Sequence, residues 1–155
     1  MKKKLKLLNN YEDLKNIRSK FKNKKIGLCH GGFDIFHIGH LNHLKEAKDN
    51  CDLLIVSITA GNFISKSPSL PYNSDQSRLE MLKSIEIVDY VFLDHSISAI
   101  SVLNSLKPNI YFKGKDYSIN NNDYVGNLKS EISFLKKNKI KFYTTKSKLF
   151  SSSKI

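Results

Sequence analysis

The length and composition fit one compact domain, since 155 residues with 40% apolar side chains suffice for a core, and seven glycines and three prolines leave no long linker. The net charge of +12 resembles that of nucleic-acid-binding proteins, but only two of the basic residues are arginines and the lysines are scattered. We therefore expect no nucleic-acid partner, although a phosphate-bearing small substrate gains from the same positive field. No apolar run approaches membrane-spanning length, and the two cysteines lack CxxC spacing, so we expect a cytoplasmic protein with reduced thiols and no membrane partner.

Apolar runs and helical patterns alternate along the chain, and Asn10 and either Ser74 or Asp75 are positioned to cap two of the helices. In chain order the patterns predict a helix at 11–21, a strand at 25–30, a helix at 39–49, a strand at 52–59, a helix at 73–85, a strand at 89–94, a helix at 96–107, a strand at 109–114, a helix at 125–138 and a strand at 139–145. This alternation predicts an α/β fold, doubly wound and Rossmann-like, with a five-stranded parallel sheet and helices on both faces. Residues 1–155 are expected to form a single domain.

The stretch "CHGGFDIFHIGH" lies where the first strand gives way to the second helix, at the sheet edge where ligands of such folds bind. In a structural interpretation the glycines make a tight turn, Asp34 caps the backbone, and His37 and His40 are ordinary partly buried residues. In a metal-site interpretation the two histidines bind an ion together with a third. In a phosphate interpretation the glycines let the backbone approach an anion, and the new helix presents N–H groups to it.

The spacing of the two histidines favours phosphate over metal. A zinc site on a helix prefers histidines one turn apart with an acidic residue nearby, as in HExxH, whereas Gly39 lies between His37 and His40 and no carboxylate or thiol completes a ligand set. No dedicated metal ligands are therefore predicted. Two imidazole donors near a helix N-terminus suit a phosphoryl group that gains charge during transfer. Walker-type and GxGxxG loops are absent, so the spacing by itself predicts a phosphate-handling site and nothing more specific.

The segment "GGFDIFHIGH" resembles the HxGH signature of the cytidylyltransferase-like nucleotidyltransferases. That family transfers a nucleoside monophosphate from a nucleoside triphosphate to a phosphorylated acceptor and releases pyrophosphate. From about residue 8 to residue 155 the chain is similar to the bacterial heptose-phosphate adenylyltransferase domain, in the segments "ISKSPSLP", "SDQSRLEML", "IEIVDYV", "YFKGKDY" and "LFSSSKI". The resemblance implies a nucleoside triphosphate and a sugar- or polyol-phosphate as substrates, in nucleotide-activated sugar and surface polysaccharide synthesis.

The resemblance also implies roles for individual residues. His37 and His40 would contact the triphosphate and stabilise the transition state, Lys66 would neutralise phosphate charge, and Arg78 would face the site from the start of a helix. Lys66 is equally compatible with a solvated loop lysine. The nucleotide-binding residues implied are Gly31, Gly32, Phe33, Asp34, Gly39, Lys113, Gly114, Asp116, Ser151 and Ser152.

Several of these nucleotide-binding residues have an alternative interpretation. Asp34 is expected mainly to anchor the glycine turn, and Asp116 is equally suited to capping a turn. Ser151 and Ser152 would form a phosphate cradle, or else belong to a frayed polar tail. Mg²⁺ is expected as a bridge between the phosphates, held mainly by the nucleotide and water.

Departures from the family pattern bear on the substrate. Glycerol-phosphate and choline-phosphate cytidylyltransferases carry arginines where this chain has Glu86 and Lys146, which favours the heptose branch. The "GGD" and "GCFD" of that branch are "GKD" and "GGFD" here. The sequence therefore does not identify the nucleotide, ATP or CTP, or the phosphorylated acceptor. A glycerol-3-phosphate cytidylyltransferase-type enzyme is the alternative, and a non-catalytic nucleotide-binding module is a further one. By resemblance we expect a homodimer. We also expect that the chain is either truncated or one domain of a larger enzyme, such as a fusion with a sugar kinase.

Overall fold

A computed structural model describes residues 6–64, 71–114 and 127–146. Its elements alternate between strand and helix, and most of their bounds fall within two residues of the predicted ones. In chain order they are β1 (Leu7–Leu8), α1 (Tyr11–Lys20), β2 (Ile26–Gly31), α2 (Ile38–Asp49), β3 (Leu53–Thr59), a 3-10 turn (Gly61–Phe63), α3 (Asp75–Lys83), β4 (Tyr90–Asp94), α4 (Ile100–Leu106), β5 (Ile110–Gly114), α5 (Asn127–Lys137) and β6 (Lys141–Thr145).

The described strands form one parallel sheet of six, in the order β1-β4-β3-β2-β5-β6. The five predicted strands are all present, but the expected total of five is wrong by one. The extra strand, β1, consists of Leu7 and Leu8, which pair with Val91 and Phe92 of β4. Two residues are too few to show a periodicity, so only the pairing with β4 makes this segment a strand.

Helices cover both faces of the sheet, as the doubly wound fold predicts. On one face α1, α4 and α5 enclose an apolar core, and on the other α2 and α3 enclose a second. Alternate residues of a strand serve the two cores, because successive side chains point to opposite faces. In β5, Tyr111 packs in the first core while Ile110 and Phe112 pack in the second.

Local hydrogen bonds explain where the helices begin. The Asn10 side chain accepts a bond from the Asp13 N–H at 2.9 Å, and Ser74 accepts one from the Ser77 N–H at 3.1 Å, which confirms the first cap and selects Ser74 as the second. The α4 helix begins at Ile100 rather than 96, because the Ser96 hydroxyl bonds to the Asp94 carboxylate instead of continuing a helical pattern.

The order of the sheet places the opening motif at a switch point. Strand β2 lies between β3 and β5, and the strand order reverses there, which is where ligands of this architecture bind. The glycine turn follows β2 directly and leads into α2. Among the described helices, none is both long enough and apolar enough to cross a membrane.

Candidate active site

The turn after β2 takes an uncommon backbone shape at Phe33. Its φ of 48° lies in the left-handed region, which costs a non-glycine residue about 1–2 kcal/mol. The ring of Phe33 is buried and lies 5.4 Å from the imidazole of His40, centroid to centroid, and 6.4 Å from the ring of Phe36. Packing of this ring stabilises the strained turn. Phe33 therefore meets the histidines with its side chain.

His37 and His40 form the N-terminal cap of α2 between them. His37 is the N-cap residue, and its Nδ1 accepts a hydrogen bond from the Gly39 N–H at 3.1 Å. The Nδ1 of His40 accepts one from the His37 N–H at 3.2 Å, and the two rings stack with their centroids 4.0 Å apart. The histidines thus replace the Ser/Thr and Glu/Gln of an ordinary capping box.

This cap selects the tautomer of both rings. A nitrogen that accepts a backbone N–H must present a lone pair, so in a neutral imidazole the proton resides on the other nitrogen, Nε2. Burial, together with the nearby His37 and His43, lowers the pKa of His40 to about 4. At neutral pH His40 is therefore an uncharged Nε2–H donor, held in orientation by the helix that it caps.

Asp34 anchors the turn, as the sequence indicates. Its two carboxylate oxygens accept bonds from the backbone N–H groups of Tyr72 and Asn73 at 2.7 and 2.8 Å. The Asn73 side-chain amide in turn donates to the Asp34 carbonyl oxygen at 2.6 Å. These bonds tie the glycine turn to the segment that leads into α3.

Lys113 lies at the end of β5, beneath the glycine turn. Its buried ammonium donates to the carbonyl oxygen of His30 at 2.9 Å, so the amine is directed toward the backbone of β2. Gly114, the next residue, is buried and pairs with Thr145 of β6. The structure thus places Lys113 and Gly114 at the same sheet edge as the histidines, with Lys113 packed under the turn.

A buried polar layer surrounds Lys113, and the sequence analysis did not include it. His30 bonds to the Ser57 hydroxyl through Nδ1 at 2.6 Å, and His43 bonds to the Thr145 hydroxyl at 2.7 Å. Burial first, and then the charge of Lys113, lowers the pKa of His30 to about 3 and that of His43 to about 4. The sequence did place His30 and Thr145 near the carboxyl ends of predicted strands, but their bonding partners, Ser57 and His43, are distant in sequence.

The guanidinium of Arg78 is buried, whereas the sequence analysis expected it to face the site. Its side chain has no solvent exposure, and its N–H groups donate to protein acceptors around the turn. Lys66, Asp116, Ser151 and Ser152 lie outside the described residues. Among the residues that are described, no group of three or more His, Cys, Asp or Glu side chains is arranged to hold a metal ion.

Comparisons with known proteins agree with this architecture. A family model described as cytidylyltransferase-like matches residues 28–155. A bifunctional protein HldE from Paramagnetospirillum magneticum is 36% identical over 100 residues, which cover 63% of this chain and 20% of that protein. Another, from Helicobacter hepaticus, is 36% identical over 117 residues, covering 74% and 24%. The chain thus spans about a fifth to a quarter of the length of these curated relatives.

Solved structures show the same fold. The lipopolysaccharide core biosynthesis protein from Thermoplasma volcanium has a TM-score of 0.64 and 25% identity, over 83% of this chain and all of that one. A pantoate-beta-alanine ligase from Francisella tularensis has a TM-score of 0.66 and 20% identity, and the match covers 92% of this chain and 67% of that one. At that identity the likeness concerns the fold alone. Since the family model extends over most of the chain and the HxGH segment caps α2 at the switch point of the sheet, the chain belongs to the cytidylyltransferase-like family.

Proposed function

We propose that this chain is a nucleotidyltransferase domain that transfers a nucleoside monophosphate from ATP or CTP to a sugar- or polyol-phosphate and releases pyrophosphate. The observation that carries the proposal is the histidine pair, which caps α2 at the switch point of the sheet. The relatives named bifunctional protein HldE and the neighbour named for lipopolysaccharide core biosynthesis support an acceptor used in surface polysaccharide synthesis.

The proposed reaction needs no nucleophile from the protein. An oxygen of the acceptor phosphate, already ionised at neutral pH, attacks the α-phosphorus of the nucleotide in line. A new P–O bond forms, the bond from the α-phosphorus to its bridging oxygen breaks, and pyrophosphate leaves with the bonding electrons. The protein has to hold two polyanions together and stabilise the charge that develops on the α-phosphate oxygens.

The histidine pair supplies donors for that charge. Because both Nδ1 atoms accept backbone N–H groups, any N–H that His37 or His40 donates to a phosphate oxygen would come from Nε2. The neutral Nε2–H of His40 is already oriented by the cap of α2, so it requires no reorganisation during the reaction. Loss of one such donor costs on the order of 3 kcal/mol, about a hundredfold in rate.

The remaining site residues keep the roles that the family resemblance implies. We propose that Gly31, Gly32 and Gly39 let the main chain approach the nucleotide. Lys66 would neutralise phosphate charge, Asp116 would shape the nucleoside pocket, and Ser151 and Ser152 would cradle phosphate. Mg²⁺ would bridge the phosphates and offset their charge, held by the nucleotide and water. The nearest motif carboxylate, that of Asp34, already accepts two backbone N–H groups.

The test is pyrophosphate release by the wild type and the His40→Asn variant, with ATP and CTP each crossed against heptose 1-phosphate and glycerol 3-phosphate. We expect release from one pairing, and about a hundredfold less in the variant. Release only with CTP and glycerol 3-phosphate would instead identify a glycerol-3-phosphate cytidylyltransferase. If calorimetry detects nucleotide binding but no pairing releases pyrophosphate, the non-catalytic binding module is correct and the proposal fails.

A further inference from the structure

Arg78 connects three segments around the glycine turn, although it lies in α3 and outside the HxGH motif. One terminal nitrogen donates to the Gly32 carbonyl oxygen at 3.0 Å and to the Thr59 carbonyl oxygen at 2.7 Å. Its Nε donates to the Asn73 carbonyl oxygen at 3.3 Å, and the other terminal nitrogen pairs with the Asp75 carboxylate. With 1% of its surface exposed, Arg78 is the largest fully buried side chain in the described part of the molecule.

The carbonyl groups that Arg78 binds have a common position. Gly32 follows the end of β2, and Thr59 is the last residue of β3, so both carbonyls lie where neighbouring strands diverge and ladder pairing ends. A fully buried carbonyl left without a donor costs about 1–3 kcal/mol, and Arg78 supplies donors to two half-buried ones at once. The Asp75 carboxylate also accepts the Gly61 N–H at 2.8 Å, which adds the turn after β3 to the same network.

The geometry of arginine suits this arrangement and that of lysine does not. A guanidinium presents five N–H donors in a rigid plane, and four contacts to protein acceptors are made here. Lysine has three donors on one nitrogen and cannot reach acceptors spread around the edge of such a plane. A phosphate contact would require Arg78 to leave several of these bonds and the core, whereas the histidine pair already lies beside the turn.

We propose that Arg78 is a positioning residue that holds the glycine turn through the Gly32 carbonyl, in partnership with Asp75, and that it does not bind phosphate. The proposal rests on the proposed nucleotidyltransferase function, because the geometry that Arg78 maintains is that of the turn beside His37 and His40. Displacement of such a turn by about 1 Å is enough to cost on the order of a hundredfold in rate.

The test compares Arg78→Lys with Arg18→Lys in the full chain. Arg18 is a matched control, because its guanidinium also donates to backbone carbonyls, those of Phe21 and Lys107 among them. These carbonyls precede β2 and β5, at the end of the strands opposite to the glycine turn. We expect both variants to lose thermal stability. Arg78→Lys should also lower kcat at least tenfold while the KM for the nucleotide changes less than about threefold, and Arg18→Lys should leave kcat within about twofold.

A double-mutant cycle with Asp75→Asn tests whether Arg78 acts on the turn through Asp75. If Arg78 acts through Asp75, the double variant should lose no more than about twofold in kcat beyond the worse single variant. Amide NMR provides a readout other than activity, since Arg78→Lys should shift the Gly32 and Gly61 resonances and Arg18→Lys should not. Because Asp75→Asn retains the arginine and the backbone acceptors, a shift of the Gly32 resonance in that variant tests the network through Arg78 even if Arg78→Lys folds poorly.

Three results would overturn the inference. One is a tenfold rise in the nucleotide KM of Arg78→Lys with kcat unchanged, which indicates loss of a contact made equally to substrate and transition state. The others are additive effects of Arg78→Lys and Asp75→Asn, and an equal loss of kcat in Arg18→Lys. Failure of the proposed function is distinguishable, because the wild type itself would then release no pyrophosphate while the Gly32 and Gly61 shifts would still report on the Arg78 network.

Discussion

His40 uses its two ring nitrogens for different purposes. Its Nδ1 accepts the His37 N–H and completes the cap of α2, whereas Nε2 is the proposed donor to a ligand. Asparagine places an oxygen near the position of Nδ1 but has no atom near Nε2. The His40→Asn and His40→Ala variants therefore separate the cap from the proposed catalytic donor.

We expect both His40 variants to lose activity and only one to lose stability. At pH 8, where the imidazole is neutral, His40→Ala should lower the free energy of unfolding by about 1 kcal/mol through loss of the cap, and His40→Asn by a few tenths. Pyrophosphate release should fall about a hundredfold in both. Thermal unfolding and an activity assay measure the two quantities, and an equally unstable His40→Asn would show that Nδ1 does not stabilise α2.

At the scale of single residues, the motif located side chains but did not orient them. The spacing around His37 and His40 identified both as a pair at a helix start. It did not reveal that Arg78 and Lys113 direct their charged groups into the fold, because their acceptors, Thr59 and His30 among them, come from strands elsewhere in the sequence.

At the scale of elements, hydrogen bonds from residues beyond the motif connect α2 to β6. Both carboxylate oxygens of Glu46 accept the Lys146 N–H at 2.9 Å, and one accepts the Tyr143 hydroxyl at 3.0 Å. One turn earlier, His43 bonds to Thr145. Since His40 lies one turn before His43, these contacts fix the start of α2 relative to the carboxyl end of β6.

Removal of the Glu46 charge should weaken this connection. We expect Glu46→Gln to lower the free energy of unfolding by about 1–2 kcal/mol, since hydrogen bonds to a charged group are worth more than neutral ones. Glu80→Gln is the control, because Glu80 is exposed and its ion pair with Lys83 should contribute under about 0.5 kcal/mol. Urea unfolding measures both, and similar midpoints for the two variants would contradict the role of Glu46.

The existence of the helices and longer strands was predictable because their hydrophobic periods are local. Most bounds agree within two residues, and the caps at Asn10 and Ser74 follow from a side chain next to its own helix. Two misses depend at least in part on residues distant in the sequence. β1 exists because Val91 and Phe92 offer it an edge, and α4 starts late where Ser96 bonds to Asp94 and the Ala99 N–H donates to Glu131 of α5.

At the scale of the whole molecule, buried neutral histidines make stability depend on pH. Burial lowers the pKa values of His30 and His43 from 6.5 to about 3 and about 4. The unfolded chain therefore binds more protons than the folded one between pH 6.5 and about 4, so the stabilisation is complete above pH 6.5 and is lost as pH falls through this window. Burial raises the pKa of Asp94, which acts in the opposite direction.

We expect the free energy of unfolding to fall by on the order of 1–2 kcal/mol per buried histidine between pH 7 and pH 5. Urea unfolding at a series of pH values measures this slope. His43→Gln should flatten it by the contribution of one histidine, and His95→Gln, a change at an exposed position, should not. A pH slope that is the same in His43→Gln and the wild type would contradict a neutral buried His43.

The sequence by itself determined the class of fold, the positions of its longer elements and the place of the candidate site, because hydrophobic periods, caps and the HxGH spacing are properties of neighbouring residues. Only the tertiary structure decided the strand order, the sixth strand, the tautomer of the histidine pair and the inward direction of Arg78 and Lys113. Those features depend on hydrogen bonds and burial between segments tens of residues apart, and no local pattern specifies them.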